Sequence, residues 1–131
     1  MNAPGTRVTA PATASAPDPE DTKLLVLARA AWLRAHAPHT GVAEGAAVRD
    51  TEGRTYSAAT VENSDPTLTT TALRGAVSAS ASSGARSLEA AALVTESLVS
   101  EADLAVLREF GVGLPVHVAG RDGSVREMLS T

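Results

Sequence analysis

Three histidines and a handful of acids are the side chains in this sequence with types suited to chemistry. His36 and His39 stand three residues apart around Pro38, and His117 falls in a predicted strand, so a three-histidine metal site can be drawn. Zinc needs three or four ligands converging in tetrahedral geometry, and nothing in this spacing supplies that geometry. Ser100-Glu101-Ala102-Asp103 has the Ser-x-x-Asp spacing of a capping box, in which two side chains satisfy free amides at a helix start. Glu62 is an acid between a predicted strand and a predicted helix. Cysteine is absent, which removes disulfides, thiolate nucleophiles and thiolate metal ligands together.

The elements that must position these groups are legible from periodicity and punctuation. Residues 1–17, rich in Ala, Pro, Thr and Ser without an apolar period, read as a flexible tail, and 18–131 as one domain. Asp18 is a cap and Pro19 a first helical residue, followed by Leu24, Leu25, Ala28, Ala31, Trp32 and Ala35 at helical spacing; Pro38 ends the run. Gly45 to Val48, a turn at Asp50 to Gly53, and Arg54 to Val61 read as a hairpin. A second helix is expected from Thr69 to Ser82, with Gly84 beyond it. The apolar run Leu88 to Thr95 is a strand covered on both faces. A third helix from Ser100 to Phe110 and a hairpin from Leu114 to Ala119 and Ser124 to Met128 complete the domain. This order predicts a mixed sheet sandwiched by helices.

Composition narrows the function classes. The net charge is −4 and the arginines form no basic stripe, which argues against binding a nucleic-acid backbone. No apolar run is long enough to span a bilayer, and the N-terminus lacks the pattern of a secretion signal, so a cytoplasmic protein without membrane association is expected. Aromatics are 2% of residues while alanine is abundant, which predicts a thin core of small side chains and makes oligomerisation attractive for extra burial.

Three segments in order resemble the small single-domain cytidine deaminases. Ala35-His36-Ala37-Pro38-His39-Thr40 and then Gly45-Ala46-Ala47-Val48 match that family's A-P-Y-S stretch and G-A-A. Thr60-Val61-Glu62-Asn63, leading to Thr71-Ala72-Leu73-Arg74, lines up with its N-V-E-N and C-A-E-R. Leu107-Arg108-Glu109-Phe110 falls where the helix after its P-C-x-x-C motif ends. The resemblance implies a three-layer α/β/α fold with a mixed five-stranded sheet, and a homo-oligomer, either tetramer or dimer.

It also implies a chemistry that this sequence does not carry through. In zinc deaminases a metal on His or Cys ligands activates water, and a glutamate that is not a ligand moves the protons. The metal takes the pKa of bound water from roughly 15.7 to about 7. Here Thr71 stands at the first ligand position, Leu73 at the glutamate, and Ser100 and Asp103 at the two cysteines, flanked by Val99 and Leu104. A helix cap suits Ser100 and Asp103 better than a metal site, and Leu73 suits the core. His36 and His39 stand where tyrosines are common, which suits packing or surface roles. Glu62 stands at the ribose-binding glutamate, with Thr60 at its partner asparagine and Val42 at the aromatic that packs on the pyrimidine.

The expectation is therefore a deaminase-like protein without zinc or another cofactor, acting by binding a nucleoside-like ligand or a protein partner. Two alternatives stand beside it: residual or altered nucleoside hydrolysis through Glu62, Asp103 or a histidine, and a structural subunit of a hetero-oligomer.

Overall fold

The computed structural model describes residues 6–8 and 18–131. Helix α1 spans Pro19–Trp32, capped by Asp18, whose carboxylate accepts from the amides of Glu20 and Asp21. Sequence periodicity carries the helix to Ala35, but Arg34 and Ala35 close tighter turns onto Ala31 and Trp32, and the His36 amide leaves to donate to the Thr60 carbonyl. Strands β2 (Gly45–Asp50) and β3 (Thr55–Ala59) form the expected hairpin. They are followed by a 3-10 turn at Pro66–Leu68, α2 (Ala72–Ser82), β4 (Leu88–Val94), α3 (Glu101–Arg108), β5 (Pro115–Ala119) and β6 (Val125–Ser130).

The five strands β2 to β6 lie in the order β6-β5-β4-β2-β3. Only β4 and β5 run parallel, joined by the crossover helix α3, so the sheet is mixed as expected. Thr6–Val8, within the segment read as a tail, form a short strand β1 antiparallel to β6. An edge strand offers unpaired amides and carbonyls, and this pairing occupies those of β6. The rest of residues 1–17 lies outside the described residues.

Alternation along the strands divides the core in two. Ala46, Val48, Ala91, Leu93, Val116 and Val118 face α2 and α3, where Leu73, Ala76, Leu104 and Leu107 meet them. Ala47, Ala90, Ala92, Val94 and Ala119 face α1, through Leu24, Leu25 and Ala28. The alanine-rich face lets α1 lie close to the sheet. A Cβ on Gly45 would stand 2.1 Å from the Ala28 carbonyl oxygen and 2.3 Å from the Trp32 nitrogen, so only glycine permits that approach. The three layers are α1, the sheet, and α2 with α3.

A thin core of small side chains is braced by polar contacts on the α1 side. His117 of β5 is buried there, its Nε2 3.2 Å from Asp21 Oδ2, while Asp21 Oδ1 accepts from Arg49 Nη2 at 3.0 Å. One acid in the first turn of α1 thus ties the helix to two strands.

Candidate functional site

The N-termini of α2 and α3 point to one place beside the end of β4, and the polar side chains gather there. Thr71 is the N-cap of α2, its Oγ1 accepting from the Arg74 amide at 3.3 Å. Ser100 is the N-cap of α3, its Oγ accepting from the Asp103 amide. A full capping box would return the Asp103 carboxylate to the Ser100 amide. Instead it reaches across to α2, where Oδ1 accepts from Thr71 Oγ1 at 3.1 Å and from Arg74 Nε at 2.9 Å. The difference arises because a guanidinium 29 positions away offers a stronger, charge-assisted partner than a local amide.

Asp103 is 3% exposed, so this carboxylate is buried and depends on its two partners. Leu73, one residue into α2 beyond Ala72, is fully buried against the core. Thr71, Ser100, Asp103 and Leu73 are therefore brought together, as two hydroxyls, one committed carboxylate and an apolar side chain. Zinc takes thiolates, imidazoles and free carboxylates, and this donor set does not fit it. Among the described residues no group of three or more His, Cys, Asp or Glu side chains is placed to hold a metal ion, so His36, His39 and His117 do not converge.

A further carboxylate, which sequence reasoning missed, sits at the same end of the sheet. Glu44 immediately precedes β2, and its Oε2 accepts from Thr95 Oγ1 at 2.7 Å, just past the end of β4. Thr95 Oγ1 in turn accepts from the Ser97 amide, so Glu44 anchors the loop leading to Ser100. Burial is the main cause that pushes the Glu44 carboxyl above its ordinary value of 4.5; the negative charge of Asp103 adds to this, while Thr95 and Arg126 oppose it. The available signal was one acid directly before an apolar strand.

An acid whose folded-state pKa is raised holds its proton more tightly folded than unfolded. The fold therefore enjoys this contribution below pH 4.5 and loses it as pH climbs through the elevated value. Glu44→Gln keeps an acceptor for Thr95 and removes the charge. It is expected to raise the urea midpoint at pH 8 and leave it nearly unchanged at pH 4, which parallel denaturation curves measure; an unchanged midpoint at pH 8 contradicts the assignment.

The three expected ligand-binding residues lie on the neighbouring loops. Glu62 is turned onto residues 39–40: its carboxylate accepts from the His39 amide at 2.7 Å, from the Thr40 amide and from the Thr40 hydroxyl. The Thr40 hydroxyl is the first cause, ahead of the two amides, of a carboxyl held below its ordinary value. Thr60 is buried and serves the backbone, its Oγ1 accepting from the Glu44 amide. Val42 is 47% exposed and lines a cavity with Trp32, Ser97 and Arg121. Glu62 thus shapes the loop that carries Val42 toward that cavity.

The three-layer fold thus brings two helix N-termini together beside the parallel pair β4 and β5. The family model described as cytidine deaminase-like matches residues 17–123, and the chain belongs to that family. Among solved structures it is similar to cytidine deaminase from Burkholderia pseudomallei, with 29% identity, a TM-score of 0.74, and coverage of 80% of this chain and 88% of the other. Cytidine deaminase from Mycobacterium tuberculosis gives 28% identity and a TM-score of 0.69 over 77% and 85%. The enzyme from Mycobacterium leprae, at 24% identity and a TM-score of 0.68 over 80% and 90%, shares the fold. No curated protein sequence matches the chain. No helix among the described residues is long and apolar enough to cross a membrane.

Proposed function

We propose that this chain is a member of the cytidine deaminase-like family that binds a nucleoside-like ligand and does not deaminate it. One observation carries the reading: the Asp103 carboxylate, at a family ligand position, is spent on Thr71 and Arg74 while Leu73 fills the position of the proton-moving glutamate. General acid and base catalysis contributes roughly 10²–10⁴-fold, and an alkyl side chain supplies none of it. The chain holds no zinc and needs no other cofactor. Val42 and the loop shaped by Glu62 form the nucleoside side of the site. The protein acts in the cytoplasm as a homo-oligomer, a dimer or tetramer, an assembly that adds burial to a core of small side chains.

Metal analysis and a cytidine deamination assay on protein purified in the presence of zinc test this reading. The expected result is substoichiometric zinc and turnover indistinguishable from heat-denatured protein. Stoichiometric zinc, or turnover that falls on Asp103→Asn, supports the hydrolytic alternative and overturns the proposal.

A further inference from the structure

The sheet has two edges, and the chain treats them differently. At one, Thr6–Val8 of β1 pair with β6 and take up its outer row of main-chain groups. At the other lies β3, with β2 on its inner side and no strand beyond it among the described residues. The main chain of β3 alternates in direction. The Asp50 amide donates to the Arg54 carbonyl and the Thr60 amide to the Glu44 carbonyl, so even-numbered residues of this stretch turn their amides and carbonyls toward β2. Odd-numbered residues turn theirs outward. Of these, Val61 exchanges both bonds with Thr70, whereas Thr55, Ser57 and Ala59 have no main-chain partner among the described residues.

Exposed edges are ordinarily blunted by a lysine, a proline, a bulge or an inward-pointing charge. Thr55-Tyr56-Ser57-Ala58-Ala59 has no charge, no proline and an unbroken register against β2. Thr55 and Ser57 are exposed. Helix α2 lies over the strand so closely that a Cβ on Gly75 would stand 2.9 Å from the Ala58 Cβ. Ser78, Ala79 and Ser82, on the same helix face as Gly75, are also short. That face of α2 leaves room for a strand added beyond β3.

The row of free groups is complementary to itself. When a second copy approaches antiparallel about a two-fold axis through Ser57, Ser57 meets the partner's Ser57, and Thr55 meets the partner's Ala59. Each is a pair that exchanges both of its N–H···O bonds, so every free group on both edges finds a partner. Displacing the register by two residues sets a strand residue opposite Gly53, whose amide closes the turn onto Asp50, or opposite Val61, already bonded to Thr70. Side chains agree with the centred register, because Thr, Ser and Ala face one another and like charges do not. An unrelated extended peptide would meet only these small side chains along β3, which give it little specificity. A two-fold self-contact uses the same patch twice and matches the symmetry of the row.

We propose that two copies of the chain join through their β3 edges into one continuous antiparallel sheet, with the two-fold axis at Ser57. The inference rests on the self-assembly proposed above and names its interface.

Sedimentation velocity on the wild type, Ser57→Lys and Ser57→Glu tests it. The wild type is expected at twice the mass of either variant, because two like charges set opposite each other on the axis repel. An equimolar mixture of the two variants is expected to recover the wild-type mass, since lysine then faces glutamate. Ser57 is exposed, so both variants are expected to keep the fold, which circular dichroism checks. An oligomer whose mass is unchanged in both variants overturns this inference and leaves self-assembly intact. Variants that separate but do not recover on mixing overturn it as well. A monomeric wild type overturns both readings and leaves an extended peptide as the occupant of the edge.

Discussion

Leu73→Glu, which places an acid at the position proposed to match the family's glutamate, is expected to destabilise the fold by roughly 3–5 kcal/mol and to return no deamination. Leu73 is fully buried among Ala46, Leu93, Leu104 and their neighbours, so the substitution removes a packed side chain and forces a carboxyl into its place. Asp103 already takes up the Arg74 guanidinium, so a second carboxyl on α2 gains no counterion from that pair. The introduced carboxyl therefore takes up a proton in the folded state, with a pKa above its unfolded value. The deficit is largest at neutral and alkaline pH and shrinks as pH falls through that raised value. Urea denaturation of both proteins at pH 5 and pH 8, followed by circular dichroism, measures it. A loss under about 1 kcal/mol, or a loss independent of pH, contradicts the account. The absence of turnover follows separately, because Thr71 and Ser100 still offer hydroxyls where a metal needs stronger donors.

Gly45→Ala is expected to cost at least about 3 kcal/mol, although it adds a single methyl group. The added carbon would meet the Ala28 oxygen at 2.1 Å, the Trp32 nitrogen at 2.3 Å and the Trp32 Cα at 2.7 Å. All three are backbone atoms of one turn of α1, so no side chain can rotate away. The helix must lift from the sheet, and with it goes the packing of Ala28 on Ala47, Ala90 and Ala92. By comparison, Gly53→Ala meets no atom within 4 Å and suffers only from its left-handed φ of +88°, a cost nearer 1 kcal/mol. Denaturation midpoints for the two variants separate these mechanisms. Similar losses at both positions contradict the close approach of α1 to β2.

The layering was legible because each element carries a local signal. Asp18-Pro19 starts α1, the alternation of Ala46 and Val48 against Ala47 splits β2 between two faces, and the nearly continuous apolar run from Leu88, interrupted only by Glu89, marks the strand at the sheet centre. Gly45-Ala46-Ala47 was read as a family motif, and the structure gives its physical content: Gly45 and Ala47 fit beneath α1, while Ala46 faces α2 across the sheet.

The parts that escaped are those fixed by partners far along the chain. Ser100-x-x-Asp103 has the spacing of a local cap, yet the Asp103 carboxylate turns to Thr71 and Arg74 on another helix. Glu44 gains its importance from Thr95, 51 residues on, and His117 its place from Asp21, 96 residues back. Sequence spacing reports only neighbours within a turn or two. Helix ends slipped for a related reason: α1 stops at Trp32 because the His36 amide is claimed by Thr60 of the hairpin.

The position of α1 has a consequence for how the chain matures on the ribosome. This helix is made before the strands it packs on, β2, β4 and β5, and its acid waits for a histidine 96 residues further on. Its oily stripe of Leu24, Leu25 and Ala28 has no complete partner until Ala119 of β5 has been made. A nascent polypeptide of this kind carries adhesive surface uncovered while those strands are made, and it acquires its native topology only in a late, concerted closure.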